Sequence, residues 1–182
     1  MGIKDIRLFL TDVDGILTNG KVSLSTSDEF IQFDIQDGIG HRLAVCGDLR
    51  VGWLSGRVSK PVAERAKHLR IEFLMQGKLD KVSAAEKLCQ KLDLKLSEVA
   101  YMGDDIIDIP LLQEVGFSAT VPYGRDEVKK TVNYVTKADA GNGAFREVVE
   151  KILKAQGRWS DAVQKFHKIN REQSETSHDV FT

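Results

Sequence analysis

The chain has 182 residues, with 26 Lys and Arg against 27 Asp and Glu and a formal net charge of -1. One domain is the expectation at this length, and a hydrophobic fraction of 42% is enough to bury a core without disulfide staples. The near-neutral balance argues against a general electrostatic grip on nucleic acid, though not against a local basic patch, and no apolar run approaches the roughly 20 residues of a membrane span. Lys4, Asp5 and Arg7 stand where a signal peptide needs an unbroken apolar stretch, so a soluble cytoplasmic domain is expected. Cys46 and Cys89 lie in apolar, helical-looking segments with no Cys or His nearby in sequence, and read as reduced core residues.

Short apolar runs alternate with longer helical patterns. Ile6 to Leu10, Val51 to Leu54, Ile71 to Met75, Val99 to Met102 and Phe117 to Val121 have the character of strands buried on both faces. Lys21 to Asp34 reads as a β-hairpin turning over Ser25 to Glu29, placed where a plain βαβ unit would have a helix. Helices are predicted over Gly40 to Leu49, Lys60 to Leu69, Lys81 to Leu92, Ile106 to Val115 and Ala144 to Ala155. Ser59 is a candidate N-cap for the second of these, with Pro61 in its first turn. The stretch 164–182 is polar and is expected to be poorly ordered alone. This rhythm predicts an α/β fold: a Rossmann-like parallel sheet flanked by helices, with right-handed crossovers.

Ligands of such sheets bind at the carboxyl ends of the strands. Asp12-Val13-Asp14-Gly15 follows the first predicted strand, Ser55-Gly56-Arg57 the second, a loop with Gly77, Lys78 and Lys81 the third, and Gly103-Asp104-Asp105 with Asp108 the fourth. Crowded carboxylates need a cation, and oxygen-only ligands select Mg²⁺. Lysine and a hydroxyl beside glycine backbone suit a phosphate dianion. The set describes phosphoryl transfer, with one Asp as nucleophile and a second as general acid. Each piece alone has a plainer reading. Asp-x-Asp-Gly is often a surface turn, Ser-Gly-Arg a loop, Gly-Asp-Asp a solvated helix start, and a single lysine a surface residue. An EF-hand is disfavoured, because Leu17 and Thr18 stand where further ligands belong. The joint reading rests on order: all four follow successive strands.

Asp12 to Thr18 (DVDGILT), Ser55-Gly56-Arg57, Lys81 and Gly103 to Pro110 (GDDIIDIP) resemble the four motifs of the haloacid dehalogenase superfamily. They are most similar to its capless 3-deoxy-D-manno-octulosonate 8-phosphate phosphatases. Phe33 to Gly38, Gln76-Gly77, Tyr134 to Thr136 and Gly141 to Glu147 add local matches over roughly 5–165. The resemblance implies a phosphatase domain over 1–163 without a cap, a polar tail over 164–182, and a Mg²⁺-dependent phosphoric monoester hydrolase of lipopolysaccharide precursor synthesis. It implies that Asp12 is nucleophile and metal ligand, and that Asp14 is general acid/base, with its carbonyl on the metal. Asp104 completes the metal ligands, and Ser55, Gly56 and Lys81 bind phosphate, with Lys78 the alternative lysine. Asp105 and Asp108 are expected to stand directly behind the metal ligands or at the helix start.

Contacts to the sugar acid are implied at Asp34, Ile35, Gln36, Asp37, Gly38, Arg42, Arg57 and Arg65, a guanidinium fork being suited to a carboxylate. The family usually has Asn at the position of Asp34 and Arg at that of Gln36, a loss of positive charge that Arg42 could offset. Arg57 favours an eight-carbon substrate; nine-carbon sialic or deaminated neuraminate 9-phosphates are the alternative, with Glu usual there. A non-catalytic scaffold is a further alternative, opposed by the intact Asp12, Asp14, Lys81 and Asp104. Relatives of this kind form homotetramers in which hairpins build a central barrel and a neighbour's tail lies near the site. No nucleic-acid or membrane partner is implied.

Overall fold

The computed structural model describes residues 2–26 and 28–176. Six parallel strands form one sheet: β1 (Leu8–Thr11), β4 (Arg50–Leu54), β5 (Phe73–Met75), β6 (Val99–Met102), β7 (Phe117–Thr120) and β8 (Tyr134–Val135), in the order β5-β4-β1-β6-β7-β8. The hairpin strands β2 (Ser23–Leu24) and β3 (Glu29–Phe30) pair antiparallel outside it. The helices are α1 (Ile35–Cys46), α2 (Lys60–Leu69), α3 (Lys81–Leu92), α4 (Ile109–Glu114), α5 (Asp126–Lys129), α6 (Ala144–Ala155) and α7 (Trp159–Thr176). The predicted fold class is the one observed.

Every residue of β1, β6 and β7 is buried, which explains their apolar character on both faces. The pleat sends Phe9 into one core with residues of α1, α2, α6 and α7. Leu8, Leu10 and Tyr101 enter a second core with residues of α3 and α4. Connections from β1 pass outward through β4 and β5, then α3 crosses back to β6. The order therefore reverses at β1, and the carboxyl end of β1 is the switch point where α/β sheets bind ligands.

Helices α2, α3 and α6 have the predicted bounds, and Ser59 caps α2 with its Oγ accepting from Val62 N. Helix α1 starts five residues earlier than Gly40 and ends at Cys46 rather than Leu49, because the Asp34 carboxylate caps it by accepting from Gln36 N. Its two glycines disguised it in sequence. Gly40 is needed there, since a Cβ would collide with Arg146 of α6. The segment from Ile106 begins as a 3-10 turn (Ile106–Asp108) before α4, and β8 was not anticipated as a strand.

The largest correction concerns the tail. The expected boundary between 163 and 164 falls inside α7, which continues to Thr176. Ala162 is fully buried, and Trp159, Val163, Phe166 and Ile169 pack on the core, so this stretch is ordered by an apolar stripe hidden among polar residues. The remainder of the expected tail, 177–182, lies outside the described residues. Among the described residues no helix is long and apolar enough to cross a membrane.

Candidate active site

Three loops leave the sheet at one level. Asp12 N donates to Met102 O (2.8 Å), Ser55 N to Met75 O (2.9 Å) and Gly103 N to Ala119 O (3.3 Å). Each residue after a strand thus stays tied to the neighbouring strand, and the side chains beyond converge.

Asp12 continues the face of Leu8 and Leu10, the side on which α3 packs. It is buried; Oδ1 accepts from Val13 N (2.7 Å) and Oδ2 lies 3.1 Å from Lys81 Nζ. Lys81, at the start of α3, also lies 2.6 Å from Asp108 Oδ1 and donates to Tyr101 Oη (3.1 Å). Tyr101 Oη donates to the same Asp108 oxygen at 2.5 Å, while Asp108 Oδ2 accepts from the backbone N–H groups of Asp104 (3.1 Å) and Asp105 (3.2 Å). Asp108 therefore fixes the lysine with one oxygen and shapes the Asp104 turn with the other.

Oxygens of Asp12, Asp104 and Asp108 lie within 4.8 Å of one another. Burial pushes the Asp12 carboxyl up to about 7, against the pull of Lys81 and with the help of Asp108. Burial, then the charges of Asp12 and Asp108, push Asp104 up to about 7 as well. Burial opposes the Lys81 charge, but Asp12 and Asp108 more than reverse this and raise its pKa. Carboxylates held this close are the electrostatic mark of a cation site, and a donor set of oxygens alone fits Mg²⁺. Gly15 keeps the loop close: its φ is +87°, and a Cβ there would overlap the Asp104 carboxylate.

Asp14 points elsewhere. Its carboxylate accepts from Arg57 through Nη2 (2.8 Å) and Nε (3.3 Å). Arg57 Nη1 donates to Glu29 Oε1 on β3, and Glu29 Oε2 accepts from Ser59 Oγ (2.7 Å). The hydrogen bond from Arg57, then that from Ser59, lowers the Glu29 pKa. Ser55 is buried, with Oγ accepting from Arg57 N (3.1 Å). The Ser55-Gly56-Arg57 loop is joined to the next one by Gly77 N to Arg57 O (3.2 Å) and Lys78 N to Ser55 O (3.0 Å).

The chain is 38% identical over 160 residues to the Escherichia coli K12 3-deoxy-D-manno-octulosonate 8-phosphate phosphatase KdsC, covering 87% of this chain and 85% of that one. Residues 57–148 match the family model of haloacid dehalogenase-like hydrolases. The chain belongs to the haloacid dehalogenase-like hydrolases, in the family of the 3-deoxy-D-manno-octulosonate 8-phosphate phosphatases. It is a phosphoric monoester hydrolase. A crystal structure of the Moraxella catarrhalis phosphatase with magnesium, phosphate and a KDO molecule superposes with a TM-score of 0.87 at 39% identity, covering 90% of this chain and 95% of that one. A cobalt-bound Haemophilus influenzae phosphatase gives 0.85 at 35% identity, covering 90% and 98%. The fold is that of these capless phosphatases, and Mg²⁺ is the cofactor its carboxylates fit.

Other predicted positions fall apart from this cluster. Asp34 is the α1 cap, Ile35 is exposed, and Gln36 Oε1 accepts from Arg146 Nη1. Asp37 is buried beside the start of α6, where its Oδ1 accepts from Arg146 N (3.1 Å); burial pushes its carboxyl up to about 6. The Arg65 guanidinium lies against Gly38 and over the Phe33 ring (5.9 Å). Arg42 donates to Asn170 Oδ1 (2.5 Å) and lies 4.9 Å from the Phe166 ring, contacts that dock α7 on α1. Asp108 stands at the helix start and behind the ligands, as expected, and its carboxylate also comes close to those of Asp12 and Asp104. The four-residue spacing from Asp104 carried that signal. Tyr101 and Glu29 were missed; the Tyr sits two residues before Gly103 on a buried strand, whereas only the hairpin's packing brings Glu29 to Arg57.

Proposed function

We propose that this protein hydrolyses 3-deoxy-D-manno-octulosonate 8-phosphate to the free sugar acid and phosphate, in lipopolysaccharide precursor synthesis. The observation that carries the reading is Asp12 at the carboxyl end of β1, 3.1 Å from Lys81 and clustered with Asp104 and Asp108. Asp12, Asp104 and the Asp14 carbonyl would hold Mg²⁺, with Asp108 beside them. When bound, the ion neutralises charge between nucleophile and phosphoryl group.

A carboxylate oxygen of Asp12 attacks phosphorus, an aspartyl-phosphate forms, and the P–O bond to the sugar breaks. Asp14 gives a proton to the departing alkoxide. Water then attacks the aspartyl-phosphate, with Asp14 taking up its proton, and phosphate leaves. Lys81 and Ser55, with the Gly56 backbone, hold the equatorial oxygens. Asp108 and Tyr101 keep the Lys81 ammonium aimed at that place.

The octulosonate substrate is supported by the printed activities of the relatives and by Arg57, whose fork suits a carboxylate. The departures at Asp34 and Gln36 make nine-carbon sugar acids the comparison to run. The hairpin supports a homotetramer, because Leu24 and Phe30 are 78% and 63% exposed on two short unprotected strands. In such an assembly a neighbouring subunit would wall the open site. Ranking eight- and nine-carbon sugar-acid phosphates by kcat/KM, with Mg²⁺ and with EDTA, tests the reading. Preference for the octulosonate ester, lost in EDTA, is expected; preference for a nine-carbon ester overturns it.

A further inference from the structure

We propose that Arg57 is a substrate-operated latch on Asp14: it holds the general acid until a carboxylate of the substrate takes that edge of the guanidinium, while Glu29 anchors the other. The inference rests on the octulosonate reading above and adds a coupling to it.

The geometry is specific. The Nε and Nη2 edge of Arg57 engages both oxygens of Asp14, and Nη1 engages Glu29. In this bidentate grip each Asp14 oxygen accepts one N–H and the syn edge of the carboxyl is turned to the guanidinium, so Asp14 must swing away from at least one bond to present a proton on that edge to a leaving oxygen. The two ends of the latch differ. Asp14 has 30% of its side chain exposed and Glu29 only 17%, and Glu29 is held a second time by Ser59 Oγ at 2.7 Å. The Asp14 end is the one that opens, because an exposed pair resists little. The Glu29 end stays, so the fork remains where an incoming carboxylate can meet it.

Such an exchange shifts the resting arrangement only for ligands that bind the open form better. A phosphate ester with a carboxylate supplies that difference, whereas an ester without one leaves Asp14 held. Binding of a remote group is thereby spent on the chemical step, and a substrate lacking it loses kcat as well as affinity. Glu29 is a positioning residue in this scheme. It gives the hairpin a task at the site, that of setting the angle from which Arg57 works.

The test uses two esters without a carboxylate that differ in leaving group. p-Nitrophenyl phosphate releases a phenolate that needs little protonation; glycerol 2-phosphate releases an alkoxide that needs it. In the full chain with Mg²⁺, kcat for the aryl ester should far exceed that for the alkyl ester. Arg57→Gln should raise the alkyl-to-aryl kcat ratio about tenfold, a fraction of what general acid catalysis supplies. Arg57→Lys, which keeps charge but loses the fork, should fall between. Both should lose kcat/KM on the octulosonate ester, and Glu29→Gln should raise KM for that ester more than for glycerol 2-phosphate. An unchanged or lower ratio in both arginine variants, with native near-ultraviolet circular dichroism, overturns the latch. A raised ratio in a protein with no preference for the octulosonate ester supports the latch and overturns the substrate reading instead.

Discussion

Lys81 Nζ lies 2.6 Å from Asp108 Oδ1, and both side chains are buried at the base of the site. One ammonium thus serves two carboxylates, Asp108 as its fixed partner and Asp12 at 3.1 Å as the group it must leave partly free. Lys81→Met removes the cation from a cluster of buried acids. Breaking a buried pair in this way costs about 3–5 kcal/mol. The expected result is a large drop in the urea midpoint of the metal-free protein, with part of the loss returned by Mg²⁺. Turnover should not return with it. A Lys81→Met protein of wild-type stability without metal would show that the ammonium does not balance these charges.

Asp12 and Asp104 separate by metal rescue. Asp12→Asn should abolish turnover at every Mg²⁺ concentration, because an amide cannot form the acyl-phosphate. Its melting temperature at pH 8 should be no lower than that of the wild type, since a crowded charge has gone. Asp104→Asn loses a metal ligand while keeping the nucleophile, so activity should return in part at high Mg²⁺. Steady-state titrations of Mg²⁺ for the two variants check this. Rescue of Asp12→Asn by metal would remove it as nucleophile.

The carboxyls of Asp12 and Asp104 are both pushed from 3.8 to about 7. Across that window the folded, metal-free protein binds more protons than the unfolded chain. The contribution of these groups to stability therefore falls as pH rises from about 4 to about 7. Mg²⁺ binds the ionised forms and competes with those protons. The rise in melting temperature on saturating Mg²⁺ should be larger at pH 8 than at pH 5.5. An equal or larger rise at pH 5.5 would contradict the proton competition.

Legibility in the sequence followed the physics of each signal. Strands β1, β4, β6 and β7 could be read because burial on both faces leaves apolar runs, and α3 and α6 because one apolar stripe repeats at helical spacing. The site could be read because its loops must sit at strand ends. Helix α1 was shortened because Gly38 and Gly40 weaken a local pattern that packing against α6 and a cap at Asp34 restore. Long-range pairing left no local trace at all. Nothing near Glu29 in sequence points to Arg57, and nothing near Arg42 points to Asn170. The stripe of α7 was concealed because its apolar residues are few, and a partner helix, not hydropathy, determines that they count.

That last point separates two roles for Arg42. As a reader of the sugar acid it would touch substrate, and Arg42→Ala would raise KM for a carboxylate-bearing ester. In the structure it donates to Asn170 Oδ1 at 2.5 Å and to Gln173 Oε1 at 3.4 Å, and lies over Phe166. These contacts bind the distal half of α7 to α1, while Trp159, Ala162 and Val163 hold its proximal half to the core. Arg42→Ala should therefore cost about 1 kcal/mol of stability, the order of a charge-assisted hydrogen bond with some stem packing. Hydrogen exchange should quicken over 166–173 before it changes in the strands. KM for sugar-acid phosphates should move less than in Arg57→Gln. Deleting the chain after Gly157 takes away the whole stripe, and the expected outcome is a protein that exposes the outer faces of α1 and α6 and aggregates, not an enzyme with relaxed selectivity. A stable, active protein lacking α7, or a KM effect of Arg42→Ala equal to that of Arg57→Gln with unaltered exchange, would return Arg42 to the site.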